Sequence, residues 1–166
     1  MRARRSMRLP NYDYTQNGVY FVTICTYRFA SLFGRIVDGY VQLNGLGRLV
    51  EEEWQRTAEV RPSVELDLFV VMPNHLHGLI WISHSPKEPM SGKNTTLGAN
   101  SLGSIIAQYK SVVTKRSRNL ADPVHWPIWK RNYYDHIVRN EGSLERIRRY
   151  ILENPARWRE DRFFCD

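Results

Sequence analysis

The chain has 166 residues, of which 42% are hydrophobic and 12% aromatic, enough for a folded core and too many for a disordered polypeptide. Lys and Arg number 24 against 17 Asp and Glu, and the resulting net charge of +7 suits a polyanionic partner. Two distant cysteines, Cys25 and Cys165, exclude a disulfide scaffold and a zinc knuckle, and no apolar run reaches the length of a membrane span.

MRARRSMRLP (1–10) is a basic arm with Arg2, Arg4, Arg5 and Arg8, and no apolar signal-type run follows it, so a cytoplasmic protein is expected. GVYFVTICTY (18–27) is β-branched and aromatic and reads as a buried strand. LFGRIVDGYVQLN (32–44) predicts a hairpin turning at Asp38-Gly39. Asn44 can cap the helix that follows over 45–60, where Leu46, Leu49, Val50 and Trp54 recur near helical spacing. VELDLFVVMP (64–73) and HLHGLIWIS (75–83) predict antiparallel strands joined tightly at Pro73-Asn74. Residues 84–100 lack periodicity and read as a flexible loop. A basic helix is expected over 101–119, opened by a serine cap, with Leu102, Ile105, Ile106 and Val113 inward and Lys110, Lys115, Arg116 and Arg118 outward. NYYDHIVR (132–139) is strand-like, and SLERIRRYILENP (143–155) predicts a helix capped by Ser143 and closed by Pro155.

This order of strands and helices, without an internal repeat, predicts one α+β domain over 1–166. The sheet is expected to be antiparallel and ferredoxin-like with helices on one face, joined by a small hairpin and a C-terminal helix carrying the chemistry.

Two segments carry candidate chemistry. Side chains alternate along a strand, so His75 and His77 project from one face, amid apolar neighbours. Paired imidazoles on such a strand are costly unless something uses them, and a divalent cation would. With no thiolate nearby, oxygen donors would complete a site for Mg²⁺ or Mn²⁺ rather than structural zinc. On the last helix Tyr150 and Asn154 stand four residues apart on one face, a phenol and a neutral oxygen donor one turn apart. Arg146, Arg148 and Arg149 lie near enough in sequence to hold phosphates. Each feature also has an ordinary reading: hydrogen-bonded histidines, a packed tyrosine, an asparagine cap. Tyr109 is a second candidate phenol, without a companion ligand at Val113. Trp126, Trp129, Tyr133 and Tyr134 are candidate stacking surfaces for bases, and His125 and His136 candidate accessory groups.

Together VVMPNHLHGLIWI (70–82), PIWKRNYYDHIVRNE (127–141), YILENPARW (150–158) and RLPNYDYTQNGVYFVTICTY (8–27) resemble the single-tyrosine HUH transposases, specifically the REP-associated tyrosine transposase branch. The resemblance implies a ferredoxin-like fold, His75 and His77 as metal ligands, Tyr150 as nucleophile and Asn154 completing the metal site. Related insertion-sequence transposases carry a glutamine where Asn154 stands, one methylene longer. Arg8 lies where that branch reads bases beside a DNA hairpin. Implied too are single-stranded or hairpin DNA as partner, a monomer or homodimer, and a metal-dependent endonuclease that cuts and rejoins DNA through a 5′-phosphotyrosine. Arg8, Lys110, Lys115, Arg116, Arg146 and Arg149 are the expected DNA contacts. Two alternatives stand beside it: a nucleic-acid-binding module without catalysis, and a metal-dependent hydrolase using water.

Overall fold

A computed structural model describes residues 16–83, 100–122 and 127–164. The basic arm with Arg8, most of the 84–100 loop, His125 and Trp126 fall outside these residues. The described chain runs β1 (Gly18–Cys25), β2 (Gly34–Val37), β3 (Tyr40–Leu43), α1 (Gly45–Glu59), β4 (Val64–Met72), β5 (His75–Ile82), α2 (Leu102–Ser117), β6 (Tyr134–Val138) and α3 (Glu141–Glu153). Four strands form one antiparallel sheet in the order β4-β5-β1-β6, while β2 and β3 pair separately. Each of α1 and α2 crosses over a strand inserted between the two it connects, which is the ferredoxin-like arrangement expected from the element order.

Local chemistry accounts for most boundaries. Asp38 and Gly39 turn the β2–β3 hairpin with positive φ at both positions, 51° and 79°, as a two-residue turn between right-twisted strands requires. Asn44 caps α1 by accepting from the Gly47 amide at 2.9 Å, and Ser101 caps α2 by accepting from Ser104 at 3.3 Å. The α3 cap differs from expectation. Asn140, in extended backbone, accepts from the Ser143 amide at 2.9 Å, so Ser143 lies inside the helix. The sharper acceptor won: Asn140 sits at the end of the strand-to-helix connection, where its carbonyl can reach the first free amides.

The two sheet faces bury different partners. Tyr20, Val22, Ile24, Leu76, Ile80 and Ile82 pack against Leu49, Val50 and Trp54 of α1 and Ile105, Ile106 and Val113 of α2. The opposite face offers Leu79, Phe21, Leu68 and Val70 to Leu144, Ile147 and Ile151 of α3. The last helix therefore lies across the sheet from α1 and α2. A bulge between Leu66 and Phe69 turns Asp67 outward, where it receives the Arg148 guanidinium at 2.7 Å. That pair ties α3 to β4. No helix among the described residues is long and apolar enough to cross a membrane.

Gly78 is a tight point between the sheet and α1, since a Cβ there would stand 2.6 Å from the Trp54 ring. Gly78→Ala should therefore lower stability by about 1–3 kcal/mol, the usual overpacking penalty. Urea denaturation checks it, and an unchanged midpoint would mean that Trp54 is not held against β5.

Candidate metal centre and tyrosine site

Neighbouring strands set the histidine pair. His75 pairs in register with Cys25 and Met72, and His77 with Thr23 and Val70, so both imidazoles leave the sheet on the α3 side. They are 0% and 1% exposed and their ring centroids are 4.3 Å apart. Burial drives both pKa values down, for His75 helped by the neighbouring His77, so the rings are neutral and have lone pairs to offer.

Asn74 fixes the His75 tautomer. Both protons of its amide nitrogen are engaged, by the carbonyls of Phe163 at 2.7 Å and Phe29 at 3.0 Å. Its oxygen must then face His75 Nδ1, 2.8 Å away, which donates to it. The proton on Nδ1 leaves His75 Nε2 bare, and that atom is buried with no hydrogen-bond partner among the described residues. Thr23 Oγ1 holds His77 Nδ1 at 2.8 Å. A hydrogen bond on the far ring nitrogen is how proteins orient metal-ligating histidines.

Tyr150, 40% exposed, brings its hydroxyl oxygen to 3.2 Å from His77 Nε2 and 3.1 Å from Asp161 Oδ2. One phenolic proton can serve only one of those acceptors at a time. Burial, then the charge of Asp161, pushes this phenol up to about 12.

Asp161 is the group that sequence reasoning missed. After α3 the chain turns through a short 3₁₀ segment, Trp158–Glu160, and returns beneath Tyr150. There the Asp161 carboxylate meets His75 and His77, with one ligand atom from each within 4.8 Å of the others. Burial opposes its charge, but the nearby His77 ring and hydrogen bonds from the Asn154 side chain and the Phe163 amide hold its carboxyl below the usual range. The amide nitrogen of Asn154 donates to Asp161 at 2.8 Å, while Asn154 Oδ1 is buried with no partner among the described residues. Asn154 thus adjoins the site as expected, with an oxygen still to offer, but the carboxylate converging on both imidazoles belongs to Asp161. Two imidazoles, a carboxylate and two orphaned lone pairs in one buried spot fit a hard or borderline divalent cation.

Other expected residues fall elsewhere. Tyr109 is core: 4% exposed, its hydroxyl donating to the Val50 carbonyl at 2.9 Å, on the sheet face opposite Tyr150. Lys110 does not project outward. Its ammonium donates to the carbonyls of Lys130 and Asn132, and burial lowers its pKa to about 8. Arg116 is tied to Glu52 and Glu53 of α1, and Arg148 to Asp67 and Glu145. Lys115 is exposed, yet like Arg116 it rides on the helix across the sheet from Tyr150. Arg146 and Arg149 are exposed on α3, and Arg146 lines a cavity of about 480 Å³ with His77, Tyr150, Tyr134, His136 and Arg162. Trp129 packs on Phe33 and Tyr109, and Tyr133 packs against the main core, which leaves Tyr134 as the stacking candidate at the cavity.

An antiparallel ferredoxin-like sheet that presents two buried histidines to a tyrosine on a following helix defines the class of fold. The structure aligns with that of a REP-associated tyrosine transposase bound to a REP hairpin, with a TM-score of 0.61 at 18% identity, covering 91% of this chain and 74% of that one. The fold expected from the four sequence segments is thus the fold found. No protein-family profile matches the chain. It belongs to one family with an uncharacterized protein of Haemophilus influenzae, 39% identical over 171 residues, which span 98% of this chain and 94% of the relative.

The donor set makes a test that separates its members. Mn²⁺ should raise the thermal midpoint of the wild-type protein, and His75→Ala or Asp161→Ala should abolish that rise. Asn74→Ala should weaken Mn²⁺ by about 10–100-fold, as loss of a group orienting a ligand does. If Asp161→Ala kept full affinity while Asn154→Ala lost it, Asn154 would regain the ligand role.

Proposed function

We propose that the protein is a metal-dependent single-strand DNA endonuclease and transesterase of transposase type, with Tyr150 as nucleophile. The observation that supports this most is the convergence of the Tyr150 hydroxyl on His77, 3.2 Å away, across 73 residues of chain. Nothing in core packing calls for a phenol, two orphaned lone pairs and a carboxylate at one point.

His75, His77 and Asp161, with Asn154 Oδ1 beside them, would hold Mg²⁺ or Mn²⁺. When bound, such a cation supplies Lewis-acid polarisation of a phosphate oxygen. The chain's own groups do the rest. The Tyr150 hydroxyl attacks phosphorus, the P–O3′ bond breaks, and the products are a 5′-phosphotyrosine and a 3′-hydroxyl. The phenol's proton leaves through its exposed edge and the departing oxygen takes one up, so no proton is consumed. Because the ester bond is kept, a second 3′-end can reverse the step and rejoin DNA. Asp161 makes ionisation of Tyr150 harder while its charge is unshared, and ligation shares that charge. Phe21 packs edge-on against Tyr150 at 6.1 Å and stacks on His77 at 5.2 Å, holding the two rings in register.

A hairpin substrate is the favoured form, since the structural relative is bound to a REP hairpin. The cavity beside Tyr150, with Arg146 and Arg162 at its walls, suits the unpaired strand next to such a hairpin. Arg149 on the same helix and Arg8 of the arm would add phosphate contacts.

Incubation with Mn²⁺ and a single-stranded hairpin oligonucleotide from DNA flanking the coding sequence should give a denaturant-resistant protein–DNA adduct. Tyr150→Phe should abolish it and Tyr109→Phe should leave it intact. Binding without an adduct would favour the non-catalytic module, and cleavage that survives Tyr150→Phe would favour a water-using hydrolase.

A further inference from the structure

Beside the cavity shared by Tyr150 and His77 lies a cluster of cations held on aromatic rings. The Lys130 ammonium stands 4.4 Å from the centre of the Phe29 ring and 5.3 Å from that of Tyr134. The Arg162 guanidinium stands 4.9 Å from Tyr134 and 4.4 Å from Phe163. Phe163 in turn stacks on Phe29 at 5.6 Å and tilts against Tyr134 at 5.6 Å, so the rings brace one another.

Arg162 differs from the arginines of the fold that are held in ion pairs. Arg116, Arg148 and Arg157 are each tied to carboxylates. Arg162 directly follows Asp161, yet it makes no ion pair with a described residue and lines the cavity with Tyr150 and Arg146. A guanidinium restrained by two ring faces has already lost much of its rotamer freedom. Its N–H donors lie at the edge of its plane, where a planar pair of oxygens can meet them. Arg146, exposed like Arg162 and lining the same cavity, has no aromatic ring beneath its guanidinium among the described residues.

Resting on the reading of Tyr150 as a nucleophile, we propose that Arg162 binds the non-bridging oxygens of the phosphodiester that Tyr150 attacks and stays on the phosphotyrosine that results. In that step the Tyr150 Oη–P bond forms and the P–O3′ bond breaks. The phosphodiester carries one negative charge before and after, and Arg162 neither gives nor takes a proton. Its contribution is to meet the charge that concentrates on those oxygens at the five-coordinate stage. Because Arg162 and Asp161 are adjacent in the chain, the tail that brings the carboxylate to the histidines also brings the phosphate-binding cation to the tyrosine.

The test uses full-length protein, Mn²⁺ and the hairpin oligonucleotide. Arg162→Ala should slow adduct formation at saturating DNA by about 10²–10³-fold, as loss of a donor to developing charge does. Arg162→Lys should recover only part, because an ammonium neutralises but does not grip two oxygens. The Mn²⁺-induced rise in thermal midpoint should persist in both variants, which separates the proposal from a collapse of the site.

In a Tyr150→Phe background, where no chemistry occurs, Arg162→Ala should reduce the salt dependence of binding by the share of one single-strand phosphate, a slope change of about 0.7. A wild-type rate in Arg162→Ala, or loss of rate together with the Mn²⁺ response, would overturn the proposal. If the wild-type protein forms no adduct, the nucleophile reading fails. The salt slope then decides whether Arg162 contacts a phosphate, an unchanged slope refuting it.

Discussion

Everything at the site follows from one constraint: two neutral imidazoles are buried side by side on a sheet face, with a bare nitrogen between them and no donor among the described residues to satisfy it. A strand that must carry His75 and His77 at alternate positions cannot hide one without the other. Their far nitrogens are satisfied by Asn74 and Thr23, which decides where the near nitrogens point. Asn74 can do this only because the Phe29 and Phe163 carbonyls occupy its other side. The Pro73-Asn74 junction is thus more than a tight turn. Its backbone accepts from Thr26 and Phe33 at 2.9 Å each, so the segment after β1 clamps the first histidine in place.

The tyrosine reaches that pair from a lightly anchored element. The face carrying α1 and α2 holds the larger core, whereas α3 rests on the small cluster around Leu79, Leu144 and Ile151 and on the Asp67–Arg148 pair. Elements with little buried apolar area sit at the low end of local stability. As the proposed nucleophile, Tyr150 would have to stay with a covalently attached strand while another strand enters, and such a helix suits that task. The sheet meanwhile keeps the histidines rigid.

How much of this was legible beforehand depended on whether the signal was local. The hairpin turn, the Asn44 and Ser101 caps and the shared face of His75 and His77 follow from short-range periodicity and backbone chemistry, and each is found as read. Charged side chains were misjudged where their partners come from other elements. A helical wheel turns Arg116 and Lys110 outward, but it cannot see Glu53 on α1 or the Lys130 carbonyl. Nor can it see that Asp67, at the bulge in β4, holds the Arg148 guanidinium. Tyr109 was ambiguous for the same reason, since only the packing of α2 on α1 reveals the Val50 carbonyl waiting for its hydroxyl. Asp161 and Arg162 lie in an aperiodic tail rich in aromatics and charges. The one available clue was a pair of acids, Glu160 and Asp161, set among basic and aromatic residues in WREDRFF, and only tertiary packing singles out Asp161.

The placement of Asp161 changes the charge balance expected of the site. With Asn154 as third ligand, two neutral imidazoles and a neutral amide would leave a divalent cation uncompensated except by DNA. With Asp161 in that place, a divalent cation, one carboxylate and one phosphodiester sum to zero, and no separated charge is left in a buried spot. The same carboxylate accepts the Tyr150 proton when nothing else shares its charge, which keeps the phenol protonated and unreactive. One short tail would then couple loading of the site to activation of its nucleophile. Asn154, bonded to that carboxylate from the end of α3, would keep the tyrosine helix and the tail moving as one body.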